Sequence, residues 1–226
     1  MNLLFLGTGA ADWPVERPDG ASEFRRCSSL LIDDVLLIDP GPQVLEALAT
    51  FGKSAQSIRW VIHTHRHSDH YHEPTLELLR QNGAVHELLN DCDVRQLGSY
   101  TVSAYRGNHA TCTDTVHYLI EDGTSCLFYG LDGAWLTYEE VAGIREKRPN
   151  LAVLDATIGH IDGDYRIFEH NNLNMVLEMQ KTLAPFVGQF CISHMARTLH
   201  TDHATLTEDM AKRQILTAYD GMMLSI

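Results

Sequence analysis

The chain has 226 residues, of which 44% are hydrophobic and 21% are charged, and its formal net charge is −13. These proportions are typical of a soluble globular protein, and a chain of this length buries enough surface to fold without disulfide bonds. So acidic a chain repels a long polyanion, which argues against binding to long nucleic acid and favours a small-molecule substrate.

Cysteine usage and the lack of long apolar segments indicate the compartment. The five cysteines are scattered and form no C-x-x-C pair, which argues against a disulfide framework and a zinc ribbon. Residues 1–7 are too short for a signal peptide, and no later segment stays apolar for the roughly 18 residues of a membrane span. We therefore expect a cytoplasmic protein with reduced thiols and no membrane partner.

Short strands alternate with helices along the sequence. In chain order, strands are predicted at 3–6, 29–32, 35–38, 58–64, 100–105, 116–120, 125–129, 151–155, 190–193 and 222–226, and helices at 42–51, 74–82, 138–147, 172–183 and 204–215. No linker or low-complexity segment interrupts them, so a single domain over 1–226 is expected. The order predicts an α/β protein with two packed sheets covered by helices, a four-layer α/β/β/α sandwich.

A cluster of histidines is the strongest signal, with five of the 13 histidines between residues 63 and 72. In the segment HRHSDH at 65–70, His65 and His67 face the same way if the backbone is extended, and Asp69 and His70 follow. Imidazole and carboxylate groups bind zinc, iron and manganese, and four such ligands can serve two neighbouring ions. The alternative interpretation is a polar surface loop that happens to contain histidines.

Further ligands must come from elsewhere in the chain, because each ion needs three or four protein ligands. The candidates are residues that follow predicted strands, namely His109, Asp132 and His194. His117 competes with His109, but it lies within a strand pattern, whereas His109 lies beyond the end of a strand.

Five segments together resemble the metallo-β-lactamase superfamily. They are LGTG at 6–9, LIDPG at 37–41, THRHSDH at 64–70, YGLD at 129–132 and SH at 193–194. The histidine motif is specific, whereas the other segments are convincing only as a set. The resemblance implies a hydrolase with two divalent ions, zinc or manganese, with iron as an alternative. It also implies the ligands: for the first ion, His65, His67 and His109; for the second, Asp69, His70 and His194; and as the bridge, Asp132.

The opening LGTG and the segment 28–41 look like the phosphodiesterase branch, which includes tRNase Z and the cyclic phosphodiesterase of phosphonate breakdown. Members of that branch carry a further histidine before the last ligand, and His170 precedes His194 by 24 residues. The resemblance implies that His170 is the proton donor or a phosphate contact, because a leaving alkoxide needs a proton. Asp69 and His170 are therefore the predicted catalytic residues.

Two departures separate the chain from that branch. In tRNase Z a glutamate orients this histidine, but Phe128 occupies the matching position here. Asp155, Asp162 or Asp164 would have to take the role of that glutamate. The chain also lacks the basic arm that grips tRNA and the cysteine-rich zinc site of the phosphonate-pathway enzyme. A small phosphodiester, linear or cyclic, is therefore the expected substrate.

Several alternatives stay open at this point. The same activated water could hydrolyse a lactone, a thioester or another carboxyl ester. A redox or binding protein is disfavoured, because redox members replace the second motif histidine with glutamate and carry a flavin domain, whereas His67 is present here. The sequence leaves open the roles of His160 and His200 and whether the chain forms a homodimer.

Overall fold

A computed structural model describes residues 1–226 and contains thirteen strands and five helices. The strands are β1 (Asn2–Gly7), β2 (Ser29–Ile32), β3 (Leu36–Ile38), β4 (Trp60–Ile62), β5 (Val85–His86), β6 (Val94–Leu97), β7 (Tyr100–Arg106), β8 (Val116–Glu121), β9 (Cys126–Gly130), β10 (Leu151–Asp155), β11 (Gln189–Ser193), β12 (Ile215–Thr217) and β13 (Met223–Ser225). The helices are α1 (Val44–Thr50), α2 (Glu73–Gln81), α3 (Tyr138–Lys147), α4 (Leu173–Leu183) and α5 (His203–Lys212). Two short 3₁₀ helices cover Ala55–Ser57 and Tyr165–Phe168. No helix is both long and apolar enough to span a membrane.

The strands form two mixed sheets, with the orders β13-β1-β2-β3-β4-β5 and β12-β11-β10-β9-β8-β7-β6. In the second sheet β9 to β12 are parallel. Because β7 and β9 are both antiparallel to β8, β7 runs in the same direction as this parallel group. The carboxyl ends of β7, β9, β10 and β11 therefore meet at one edge, where ligands bind in parallel sheets.

Three apolar clusters hold the layers together. One lies between the two sheets, one packs the second sheet against α3, α4 and α5, and one packs the first sheet against α1 and α2. Strand β9 shows how the sequence specifies this: Leu127 and Tyr129 belong to the inter-sheet cluster, whereas Phe128 faces the helices. The predicted four-layer α/β/β/α arrangement is confirmed.

The element predictions were wrong in three places. Strands β5 and β6 were missed, because edge strands that are short and partly exposed lack a clear apolar alternation. The predicted helix at 204–215 ends at Lys212, and Ile215 begins β12, a third strand that was not predicted. The strand predicted at 58–64 is confined to Trp60–Ile62, since the chain then leaves the sheet to carry the histidine motif.

Candidate metal centre

The histidine motif is anchored to the end of the neighbouring strand. Asp39 follows β3, and its Oδ1 accepts hydrogen bonds from the Thr64 amide at 2.7 Å and from Thr64 Oγ1 at 2.9 Å. Asp39 has a φ of 60°, in the left-handed region that residues other than glycine rarely adopt. The Asp39 carboxylate therefore holds the start of the motif at the edge of the first sheet.

The second sheet supplies the other three candidate ligands from the carboxyl ends of its strands. His109 follows β7, Asp132 follows β9 and His194 follows β11. The φ angles of Asp132 and His194 are 56° and 60°. Left-handed backbone at non-glycine residues costs about 1–3 kcal/mol and persists where the surrounding structure enforces it, most often at functional sites.

A first group of donor atoms comes from His65, His67, His109 and Asp132, and all four lie within 4.8 Å of one another. His67 Nδ1 is 3.2 Å from His109 Nε2, and His65 Nε2 is 3.1 Å from Asp132 Oδ2. Ligands around a tetrahedral zinc ion are about 3.3 Å apart, given the usual zinc–nitrogen distance. The spacing of these atoms therefore matches that of ligands around one ion.

A second group comes from Asp69, His70, Asp132 and His194. His70 Nε2 is 3.1 Å from His194 Nε2 and 3.0 Å from Asp132 Oδ2, while Asp69 Oδ2 is 3.3 Å from His70 Nε2. Asp132 belongs to both groups. The structure thus brings the seven predicted ligands together in the two sets that the resemblance implies, whereas His117 lies outside both.

Two buried polar atoms in these groups have no hydrogen-bond partner, His65 Nε2 and Asp132 Oδ1. The contact of His65 Nε2 with Asp132 lacks the geometry of a hydrogen bond, although the atoms are close. Leaving a buried polar atom unpaired costs about 1–3 kcal/mol, and such an atom in a native fold calls for an ion or a water. Imidazole and carboxylate donors of this kind fit divalent transition metals.

Comparison with known proteins agrees with the fold and the motif. The family model described as the metallo-beta-lactamase superfamily matches residues 23–73, and no curated protein sequence matches the chain. Zinc-bound PqqB from Methylobacterium extorquens is similar over 100% of both chains, with 16% identity and a TM-score of 0.74. The chain has the metallo-β-lactamase fold. The resemblance predicted from the sequence is confirmed.

Two further solved structures with the metallo-β-lactamase fold are similar along their whole length. A diphosphatase from the PhnP family has 18% identity and a TM-score of 0.71, with coverage of 100% of this chain and 97% of that one. Human tRNase Z, short form, has 15% identity and a TM-score of 0.72, with coverage of 100% and 99%. At these identities the likeness establishes the shared fold.

In this metallo-β-lactamase fold, buried carboxylates raise the pKa of two candidate ligands, His70 and His194, and so favour their protonated forms when no metal ion is bound. Burial lowers the pKa of His194, but the charges of Asp132, Asp155 and Asp69 outweigh it and raise that pKa to about 9. The pKa of His70 likewise lies well above its usual value despite burial. Because a ligating imidazole must be neutral, metal ions compete with protons for these residues.

A carboxylate that the sequence analysis did not assign to the site orients one ligand. Asp39 Oδ2 is 3.0 Å from His70 Nδ1, so it holds the ring with Nε2 directed at the second group. A carboxylate behind a ligating histidine fixes its tautomer and raises its basicity. The sequence analysis singled out the LIDPG segment that contains Asp39. The contact of Asp39 with His70 arises only in the folded protein, so the role of Asp39 could not be predicted from that segment.

Asp155, at the end of β10, is the carboxylate that lies beside His170. Its Oδ2 is 3.3 Å from His170 Nδ1 and 3.4 Å from His194 Nδ1, and Thr157 Oγ1 donates to it at 2.8 Å. Of the three predicted candidates, Asp162 contacts Asn174 and Asp164 pairs with Arg166 instead. The side chain of Phe128 is buried in the apolar cluster beneath the helices.

A cavity of about 200 Å³ lies over the two donor groups. Its walls are formed by Ala10, Ala11, Asp12, His67, Asp69, His109, Thr111, Asp132, Thr157, Arg166, Glu169, His170, His194 and Ala196. His160 and His200 do not line it: His160 pairs with Asp209 on the surface, and His200 Nε2 donates to the Ala156 carbonyl. The cavity thus connects the candidate ligands and His170 with solvent.

Replacing Asp155 by asparagine should weaken the site without removing a predicted ligand. In Asp155→Asn the carboxylate charge that orients His170 and His194 is lost, so we expect metal affinity and turnover each to fall by roughly tenfold. Zinc titration and steady-state kinetics would measure both. The matched control is Asp162→Asn, which replaces an exposed carboxylate and should change neither metal affinity nor turnover. If Asp155→Asn left both quantities unchanged, Asp155 would not orient the two histidines.

Proposed function

We propose that this chain is a binuclear metal-dependent hydrolase that cleaves a small phosphodiester, linear or cyclic. The metallo-β-lactamase fold and the two donor groups support a metal-dependent hydrolase. The observation that carries the narrower proposal is the placement of His170 at the wall of the cavity, next to Asp132 and Asp155.

His170 has the geometry of a proton donor. Its Nδ1 faces Asp155 and Thr157, while Nε2 has no hydrogen-bond partner in the protein and is free to contact substrate. Burial lowers the pKa of His170, but the charges of Asp155 and Asp132 outweigh it and raise that pKa to about 11 in the protein alone. In the metal-free protein the ring therefore carries a proton of the kind that a leaving alkoxide needs.

Divalent ions, if held by the two donor groups, would supply Lewis acidity and would activate a water for attack on phosphorus. Asp132 places a carboxylate between the two groups, and Asp39 and Asp155 hold the ligating rings in orientation. His170 then protonates the leaving oxygen. A diphosphatase and a tRNase among the similar structures add support for phosphate chemistry. The small cavity and the net charge of −13 favour a small substrate over tRNA.

One observation favours a less charged substrate and keeps a carboxyl ester as the second candidate. Arg166 is the one arginine lining the cavity, and both its Nε and Nη2 donate to Asp164, at 2.8 and 2.6 Å. The carboxylates of Asp12 and Glu169 line the same wall. A lactone or thioester would meet less repulsion there, and the same activated water would attack its carbonyl group.

A substrate panel separates the two candidates. Metal-loaded protein should turn over a linear alkyl phosphodiester, a cyclic phosphodiester and bis(p-nitrophenyl) phosphate in preference to a lactone and a thioester. The readout is kcat/KM for each compound, with zinc and with manganese. Lactone or thioester turnover far above that of all three diesters would overturn the phosphodiesterase proposal and leave the metal-dependent hydrolase in place.

The metal content of the purified protein tests the binuclear centre directly. Because the two donor groups share only Asp132, we expect close to two divalent ions per chain by elemental analysis after growth in metal-replete medium. An ion that binds only the folded state stabilises it, so removing the ions with a chelator should lower the melting temperature. Protein that contains no transition metal would contradict the proposal.

A further inference from the structure

A buried histidine outside both donor groups has two hydrogen-bond acceptors. The side chains of His117 and Glu140 are 1% and 0% exposed. His117 Nδ1 contacts Glu140 Oε1, and His117 Nε2 lies 2.9 Å from the Leu131 carbonyl oxygen. A carboxylate and a carbonyl can only accept, so both ring nitrogens donate and the ring is an imidazolium paired with Glu140.

The partner of this histidine is itself fixed at the start of α3. Glu140 Oε2 accepts hydrogen bonds from the Thr137 amide at 2.6 Å and from Thr137 Oγ1 at 2.8 Å, which completes the N-terminal cap of the helix. One carboxylate oxygen thus binds the helix and the other binds His117. The His117 ring is therefore fixed relative to both β8 and α3.

The loops that carry two candidate metal ligands pack directly against this ring. A Cβ atom on Gly107 would lie 2.8 Å from His117 Nε2, and one on Gly133 would lie 2.6 Å from His117 Cε1. Gly107 precedes His109 by two residues, and Gly133 directly follows Asp132. Only glycine allows the backbone so close, so both loops pack directly against the imidazole.

We propose that His117, held by Glu140, is a positioning residue that fixes the turn carrying Asp132 and thereby the geometry of the metal centre. Its Nε2 proton binds the carbonyl of Leu131, the residue directly before Asp132. The left-handed φ of 56° at Asp132 is unfavourable and needs such a restraint on the adjoining peptide. The inference rests on the proposed metal centre and is independent of the substrate.

Two substitutions at the same position separate positioning from core packing. The amide nitrogen of asparagine falls near the place of imidazole Nδ1, and that of glutamine near the place of Nε2. His117→Asn therefore keeps a donor for Glu140 and loses the one for the Leu131 carbonyl, whereas His117→Gln does the reverse. Both variants leave a cavity in the core, so both should lower the melting temperature.

The readouts are the dissociation constants for cobalt alone and the visible absorption of the cobalt-loaded protein, with no substrate present. We expect His117→Asn to weaken cobalt binding by roughly tenfold or more, the usual loss of metal affinity when a residue that orients a ligand is replaced. The visible spectrum should change as well. His117→Gln should stay within about threefold of the unaltered protein on the same scale. Equal losses in both variants, or unchanged binding in His117→Asn, would overturn the positioning role.

Glu140→Gln provides the test if a histidine variant does not fold, because glutamine also completes the cap of α3. Glutamine can accept from the Thr137 amide through its oxygen and donate to His117 Nδ1 through its amide nitrogen, so a neutral ring still donates its Nε2 proton to the Leu131 carbonyl. We expect cobalt binding within about threefold of the unaltered protein and the same spectrum, and a loss of roughly tenfold or more would count against the hydrogen bond to Leu131 as the restraint. Absence of cobalt binding in the unaltered protein would refute the metal centre itself. Failure of the positioning role can therefore be distinguished from failure of the proposed metal centre.

Discussion

Asp132→Asn should lose at least one of the two metal ions and several orders of magnitude in turnover. Asp132 is the only candidate ligand shared by both donor groups, and its side chain is 3% exposed. Asparagine keeps the shape but removes a negative charge that offsets two dications in a buried site, where charges interact strongly. An activated water that depends on both ions would then be lost.

Elemental analysis and steady-state kinetics on the same preparation measure this effect. Asp34→Asn is the matched control, because Asp34 pairs with Lys53 on the surface and should alter neither metal content nor rate. If Asp132→Asn kept both ions and full activity, Asp132 would not bridge the two groups.

His170→Ala should slow alkyl phosphodiesters by roughly a hundredfold or more, the usual contribution of a positioned general acid. Both metal ions should remain bound, because His170 is not one of the seven predicted ligands. An activated diester such as bis(p-nitrophenyl) phosphate should be affected much less, since its leaving group hardly needs a proton. The measurement is kcat on the two diesters for the variant and the unaltered protein.

The control for this experiment is His160→Ala, which removes a surface histidine paired with Asp209 and should change neither rate. Equal losses on both diesters in His170→Ala would remove the acid role and leave His170 as a substrate-binding or structural residue. Loss of metal in that variant would instead make His170 a ligand.

The positions of the candidate ligands could be proposed from sequence because their spacing and the ends of strands are local features. The segment 65–70 carries four candidates in six residues, and His109, Asp132 and His194 each follow a strand that apolar runs reveal. The preference for His109 over His117 as a candidate ligand also depended only on predicted strand ends, because His109 lies beyond a strand and His117 lies within one. The structure places the two histidines accordingly, with His117 bound to Glu140.

The supporting residues could not be predicted in the same way. Asp155 closes the apolar strand LAVLD, and its position beside His170 and His194 depends on how β10 and β11 pair. The link between His117 and Glu140 joins a strand to the cap of a helix more than twenty residues later. Such contacts follow from the packing of whole layers, which no sequence window contains.

The candidate ligands come from both sheets, and this has a consequence for the lifetime of the protein. His70 and His194, 124 residues apart in sequence, meet in one donor group, so a bound ion acts as a cross-link between the two halves of the chain. Separating the sheets then requires release of the ion, which slows unfolding and protects the chain from proteolysis. In a metal-starved cell the protein should be degraded faster, so its abundance would follow the metal supply.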